Sequence, residues 1–524
     1  MTVQAPESDL IFQRRYKTLA VLCLSLVLVV AGVSSLNVAL PAIVRDLHAS
    51  GTQLQWMVDG YSLAFAALLL PAGALGDRFG RKGALQLGLT AYTLAAVVSA
   101  FATNPDQLIA TRVVMGLSAA FVMPATLSIV TNVFPANERG KAIAIWAGFA
   151  GAGGAIGPVI SGLLLEHFWW GSVFFISAPI ALVALGFGFV LVPTSSDPDH
   201  TKLDPGGSLL SAAGLFAFLY AIIEGPDNGW LDPVTLMVFA ASVALLVAFV
   251  KWERRIDAPM LDMDYFSIRG FSAGAFTIAT VFFALFGMFF LVTLYLQFVL
   301  GFSALGAALR TLPSAVVMVM VSPRSADIAE RFGLRNAVVA GMTLISAGFV
   351  VMSTLSSGYH YWILLVALVL MSSGMSVVMA NSTSSIMAGL PLAKSGVGSA
   401  VNDTSREVGG AVGIAVLGSI ASTFYRSSLD GQLSMLPAPA EDAARDSIGS
   451  ALAVAQQVGG EVGAMVSSTA SAAFTDAFGI ATRISAIAVL LGAFVTYRWM
   501  PERVEAPTAG GVDPREANSM SVES

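Results

Sequence analysis

The chain is written in long apolar blocks separated by short polar breaks. Fourteen blocks stand out, at roughly 18–41, 53–75, 84–103, 107–129, 141–165, 171–192, 207–224, 232–251, 270–296, 304–322, 336–356, 360–381, 397–423 and 477–498. About 20 apolar residues, rising 1.5 Å each, cross the hydrocarbon core of a bilayer. Each block therefore predicts a membrane-spanning helix. The least apolar are 207–224, which ends at Glu224-Gly225-Pro226, and the polar-studded 397–423.

The breaks test that count. Basic residues collect in loops on the inner side of a membrane. With fourteen spans and both termini inside, twenty of the 27 Lys and Arg fall in inner segments. Among the other seven, Arg112 and Arg406 lie within spans. The bias persists loop after loop and supports the even count. A polar segment ending in Arg14-Arg15-Tyr16-Lys17 precedes the first block. The block is long enough to span, so it reads as a first span and not as a cleaved leader.

Composition agrees with the pattern. The 524 residues are 56% hydrophobic and 11% charged, with a mean hydropathy of +0.78. A water-soluble chain carries about 25% charged residues. The net charge of -6 resides in loops, and no basic stretch interleaved with aromatics points to nucleic acid. A single cysteine, Cys23, excludes a disulfide framework and a cysteine metal site. The four histidines, His48, His167, His200 and His360, sit near block ends, as interfacial residues do. No nucleotide-binding loop of the form G-x-x-x-x-G-K-[ST] occurs, so direct use of ATP is not expected.

The expected organisation follows. Residues 1–17 form an inner N-terminus, 18–192 a six-helix bundle, 193–206 a Pro-rich polar linker, and 207–251 two extra helices. Residues 252–269 form a basic inner loop with room for a short surface helix. Residues 270–498 form a second six-helix bundle carrying a long outer loop at 425–476, and 499–524 a disordered inner tail. The Ala/Gly/Ser richness of the outer loop predicts loose packing or short surface helices.

The loop after span two reads Gly73-Ala-Leu-Gly76-Asp77-Arg78-Phe-Gly80-Arg81-Lys82. Glycines let helices approach closely. Asp77 is placed to favour the positive end of span three, and the arginines to face anionic headgroups. A basic inner loop needs Arg and Lys, but not this order. The order resembles the signature loop of the major facilitator superfamily. A degraded copy, Ser325-Ala-Asp327-Ile-Ala-Glu330-Arg331-Phe-Gly333-Leu-Arg335, follows span ten. Two copies fit the two homologous halves of such transporters. Ser325 replaces the first glycine, so the second copy is expected to be the weaker gate.

Span five carries Gly153, Gly157, Pro158 and Gly162. Small residues four apart allow close helix crossing, and the proline removes a backbone bond. The spacing resembles the G-x-x-x-G-P-x-x-G-G motif of the family's antiporters, with Ser161 at the first closing glycine. The alternative is a packing helix without functional consequence. Fourteen spans resemble the drug:proton antiporter subfamily, which exports quaternary ammonium compounds and dyes. So do Asn37-Val-Ala-Leu-Pro41, Trp56-Met-Val-Asp59-Gly-Tyr61, and the stretch from Ala393 to Gly410. The resemblance implies a fold of two six-helix bundles plus two extra helices, with all fourteen transmembrane helices α-helical. It also implies a plasma-membrane location, no cofactor, and the proton motive force as drive.

Ionisable residues within spans are costly, about 2.5–3.5 kcal/mol each on insertion scales, and so mark function by default. Asp59 and Arg112 lie at similar depth, roughly 9 Å from the outer end at 1.5 Å per residue, and are expected to pair or to share a water network. A purely structural ion pair is the alternative. In span thirteen, Asp403 and Glu407 share a helix face around Arg406. A buried carboxyl can load and release a proton, tuned by a neighbouring Arg. Glu407 and Asp403 are the coupling candidates; the competing reading for Asp403 is an i, i+3 pair with Arg406. Many relatives carry an acid in span one, where this chain has Gly32. Recognition of lipophilic cations by that route is thereby in question, and a neutral or anionic cargo stays open.

The reading is proton-coupled export of a small amphipathic molecule by alternating access. The partners are the cargo, protons and lipid, with no nucleic acid and no obligate protein partner. An exporter of an endogenous metabolite or lipid, an uptake symporter of the same fold, and a non-transporting scaffold are the rivals. An embedded enzyme lacks a metal cluster or a nucleophile–base pair in the sequence.

Overall fold

The computed structural model describes residues 6–49, 51–196, 203–356, 358 and 360–503. Expectations for residues 1–5, for 197–202 of the linker with Lys202 among them, and for the tail from 504 fall outside these.

Lipid offers no hydrogen bonds, so every backbone group in a span must be met within the chain, and the helix does this locally. Among the described residues, fourteen helices are long and apolar enough to cross a membrane. Several ends are written in the sequence. Spans four, seven and eight start at Asn104-Pro105, Asp204-Pro205 and Asp232-Pro233. In each, the Asn or Asp side chain accepts a first-turn N–H, and the proline gives up no bond there. Prolines 71, 124, 158 and 313 lie inside spans two, four, five and ten.

The packing reveals an internal repeat. In the first half, span one packs on four, five and six, span four on two and three, and span three on six. The second half repeats every one of these pairings. Span nine packs on twelve, thirteen and fourteen, span twelve on ten and eleven, and span eleven on fourteen. The bundles meet along two seams, span two against thirteen and span five against ten. Spans seven and eight pair with each other, and span seven lies on spans two and thirteen. The extra pair therefore covers one seam. With an even number of spans, the two ends of the chain emerge on one face, here the termini face.

Three expectations change. Span seven runs Pro205–Asn228, through Gly225-Pro226. The inner loop at 252–269 carries only a short 3-10 turn, Met263–Ser267, capped by Asp262. The outer loop is shorter than 425–476, because span thirteen continues to Leu429 and the helix of span fourteen begins at Gly460. Between them, Ala438–Asp446 and Ile448–Val458 are helical. They bury Ala444, Ile448, Ala451 and Val454. Tyr425 donates to Ala444 O at 3.0 Å, and Arg426 pairs with Asp446 at 2.8 Å. Small residues here serve close helix packing, so the segment is a packed cap.

Candidate functional site

The signature loop ties the two halves together. Gly73 and Gly396 face each other so closely that a Cβ on either would lie 2.6 Å from the other's carbonyl oxygen. That approach brings Asp77 to the first turn of span thirteen. Its carboxylate accepts N–H bonds from Gly396, at 2.9 and 2.8 Å to its two oxygens, and from Val397 at 3.1 Å. A carboxylate at a helix N-terminus meets orphan donors and the positive end of the dipole together. The helix it caps is thus span thirteen, in the other half, and not span three.

Arg81 also departs from expectation. It is 1% exposed, bonds Asp77 at 2.9 Å and donates to Leu392 O and Ala393 O at 2.8 and 3.0 Å. Four residues after Asp77, it shares that face and turns inward to the carboxylate instead of towards headgroups. Arg78 lies over Phe79, and Lys82 donates to Phe189 O at 2.8 Å. Gly80 holds φ at +113°, a region side chains disfavour. Sequence reading missed two further residues of this lock. Ser128 meets Ser395 at 2.7 Å, and Asn132 donates to Ser395 at 2.9 Å. The signal available was two polar residues four apart in an apolar span.

The second copy repeats the shape but not the bonding. Gly333 has φ of +85°, yet Asp327 and Arg331 are exposed. Nearby, the halves are held by Ser322, which donates to Ala144 O at 2.6 Å.

Span five is sandwiched. A Cβ on Gly157 would lie 2.6 Å from Ala31 O, and one on Gly153 3.2 Å from Val30 Cβ, both in span one. A Cβ on Gly162 would lie 2.9 Å from Leu305 of span ten. Pro158 is within the helix. The glycines thus serve both the bundle interior and the seam.

At mid-membrane the structure separates the expected groups into two sets. In the first half, Arg112 is fully buried. Its Nε donates to Met57 O at 3.0 Å, and its Cζ sits 4.4 Å from the Tyr61 ring centre. Its two terminal nitrogens have no hydrogen-bond partner among the described residues. Of the two arrangements expected for Arg112 and Asp59, the direct pair does not form: Arg112 meets Met57 O and Tyr61, and Asp59, two residues from each, falls on the other side of span two. Asp59 is half-buried. In the second half, Asp403 is buried and accepts from Arg406 at 3.3 Å and from Asn402 at 3.2 Å. Arg406 also lies over Phe282 at 4.8 Å. The i, i+3 pair is therefore present. Glu407 makes no hydrogen bond or ion pair among the described residues and keeps partial solvent access. Tyr61, across the seam, is close enough to interact with it electrostatically. Tyr61 was visible in sequence only as the end of a motif.

Comparison with known proteins agrees with this architecture. The sequence pattern of the Major Facilitator Superfamily matches residues 22–414. The multidrug efflux pump LfrA of Mycolicibacterium smegmatis is 36% identical over 92% of this chain and 95% of its own. The tetracenomycin C resistance and export protein of Streptomyces glaucescens is 33% identical over 77% and 76%. The methyl viologen resistance protein SmvA of Salmonella typhimurium is 33% identical over 84% and 89%. Among solved structures, the human organic anion transporter MFSD10 superposes with a TM-score of 0.61 at 15% identity, covering 94% of this chain and all of that one. The proton:xylose symporter XylE does so at 0.60 and 12%, covering 94% and 98%; both show the shared fold alone. The chain belongs to the Major Facilitator Superfamily.

Proposed function

We propose that the protein exports small amphipathic molecules, such as drugs, dyes or antibiotics, in exchange for protons. The observation that carries the reading is Glu407. It is a carboxyl without a bonded partner, deep in a span, with partial access to solvent and facing the seam between two halves. An acid so placed can take a proton from one face and give it to the other when the seam reopens. The names of the three relatives given above, an efflux pump and two resistance proteins, support the direction of transport.

Asp403, fixed by Arg406, tunes Glu407 electrostatically. The Asp77–Gly396 lock holds the termini face shut. The basic loops support a reading in which that face is cytoplasmic, so the closed face points inward in a protein of the plasma membrane. Protonation of Glu407 removes a charge from the seam and favours its reclosure on the other side. The glycines of span five permit the rocking.

The test uses inverted vesicles energised to an acidic interior. Cationic dyes and neutral antibiotics are added, and proton efflux is followed. Wild type should release protons on substrate addition, and Glu407→Gln should not. Uptake of the same compounds together with protons would replace export by symport.

A further inference from the structure

Among the buried polar atoms of the first half that have no partner among the described residues, four belong to neighbouring side chains: the Tyr61 and Tyr92 hydroxyls and both terminal nitrogens of Arg112. Tyr61 and Arg112 are in contact, and Tyr92 lies within electrostatic range of Arg112. All three side chains are 1% exposed or less. A buried guanidinium is tolerated when its donors are met, and nothing in its own half meets these. Glu407, in span thirteen, is within electrostatic range of Tyr61.

Gly32 explains how the set is arranged. A Cβ there would lie 1.9 Å from the Tyr92 hydroxyl. The hydroxyl occupies the space in which a side chain at residue 32 would begin. An acidic residue and Tyr92 cannot both hold that ground. The half therefore presents donors and one fixed positive charge, flanked by aromatic rings. Gly32, which lies against Tyr92, and Glu407, within range of Tyr61, are only half-buried, so the rim is accessible.

We propose that Arg112, Tyr61 and Tyr92 form a subsite for a carboxylate or phenolate carried on an aromatic ring of the cargo, with Gly32 seating the Tyr92 hydroxyl. The planar guanidinium suits a bidentate anion, and the tyrosine rings suit a flat aromatic body. The inference rests on the export reading, since it names part of what is exported.

The test is binding to the full chain in lipid nanodiscs, read by titration calorimetry. The probes are anthraquinone-2-carboxylate and the acceptor-free cation tetraphenylphosphonium. Wild type should bind the carboxylate at least about tenfold more tightly, the worth of one charge-assisted hydrogen bond. Tyr92→Phe keeps the ring and should weaken the carboxylate about tenfold without changing the cation. Gly32→Ala should do the same, because the new methyl displaces the hydroxyl. Equal affinity for the two probes, or no change in either variant, would overturn the subsite and leave Arg112 as a partner for Glu407. The two readings fail separately. Cation-driven proton release in vesicles without carboxylate binding would keep export and sink the subsite. Carboxylate binding lost in Tyr92→Phe, without proton release by any compound, would do the reverse.

Discussion

The two copies of the signature loop have the same outline and opposite fates. Both hold a glycine with positive φ, and in both an acid and an arginine stand three and two residues before it, Asp77-Arg78 and Glu330-Arg331. In the first copy, Asp77 is 3% exposed and bonded across the seam to the start of span thirteen. In the second, Glu330 and Arg331 lie in the open. The difference begins at two glycines. Gly73 and Gly396 let backbones touch, and an acid one turn further on then reaches a helix N-terminus. Where Ser325 stands instead, the contact passes to Ser322 and one carbonyl. A motif of charges becomes a lock only where the backbone approach allows it.

The largest expected effect is at Asp77. Asp77→Ala would strand Arg81 without its carboxylate and leave Gly396 N–H unmet. Breaking a buried pair costs about 3–5 kcal/mol, enough to shift a two-state equilibrium more than a hundredfold. Spin labels at the exposed Phe79 and Leu392 should move apart. Glu330→Ala, by contrast, should fall within about 0.5 kcal/mol; an equal effect would break the comparison.

Next comes Gly73→Val. Overpacking typically costs about 1–3 kcal/mol, and here the new Cβ meets a backbone oxygen that cannot step aside. The same label pair should separate, with Asp77 intact.

Where the copies are alike, they should respond alike. Gly80→Ala and Gly333→Ala each force a side chain into the left-handed region, at roughly 1–2 kcal/mol. Thermal unfolding should show similar losses, and a difference well beyond that range would mean the turns are not equivalent. Ser395→Ala, which removes the hydrogen bonds from Ser128 and Asn132, should weaken the lock by about 1 kcal/mol. That is the smallest shift the labels should resolve.

Lipid made much of the fold legible. It imposes one length and one polarity on every span, so fourteen could be counted from apolar blocks. The boundaries failed where small residues mislead. The stretch 460–476 reads as loop because it is rich in Ala, Gly and Ser, yet it continues the helix of span fourteen. The Asp403–Arg406 pair was legible because i, i+3 neighbours meet on any helix. The destination of Asp77 was not, since its partners are more than 300 residues away and no local pattern names them. Tyr92 was invisible for the same reason. Its role depends on the missing side chain at Gly32, and only the packing of span one against span three's tyrosine brings the two together.

The central claim is that Glu407 exchanges a proton as cargo binds, while the Asp77 lock sets which face is open. The most direct measurement is proton release by purified protein in weakly buffered solution, on adding a compound shown to bind. The account predicts proton release on binding in wild type, and none in Glu407→Gln that still binds. Undiminished release from that variant would contradict it.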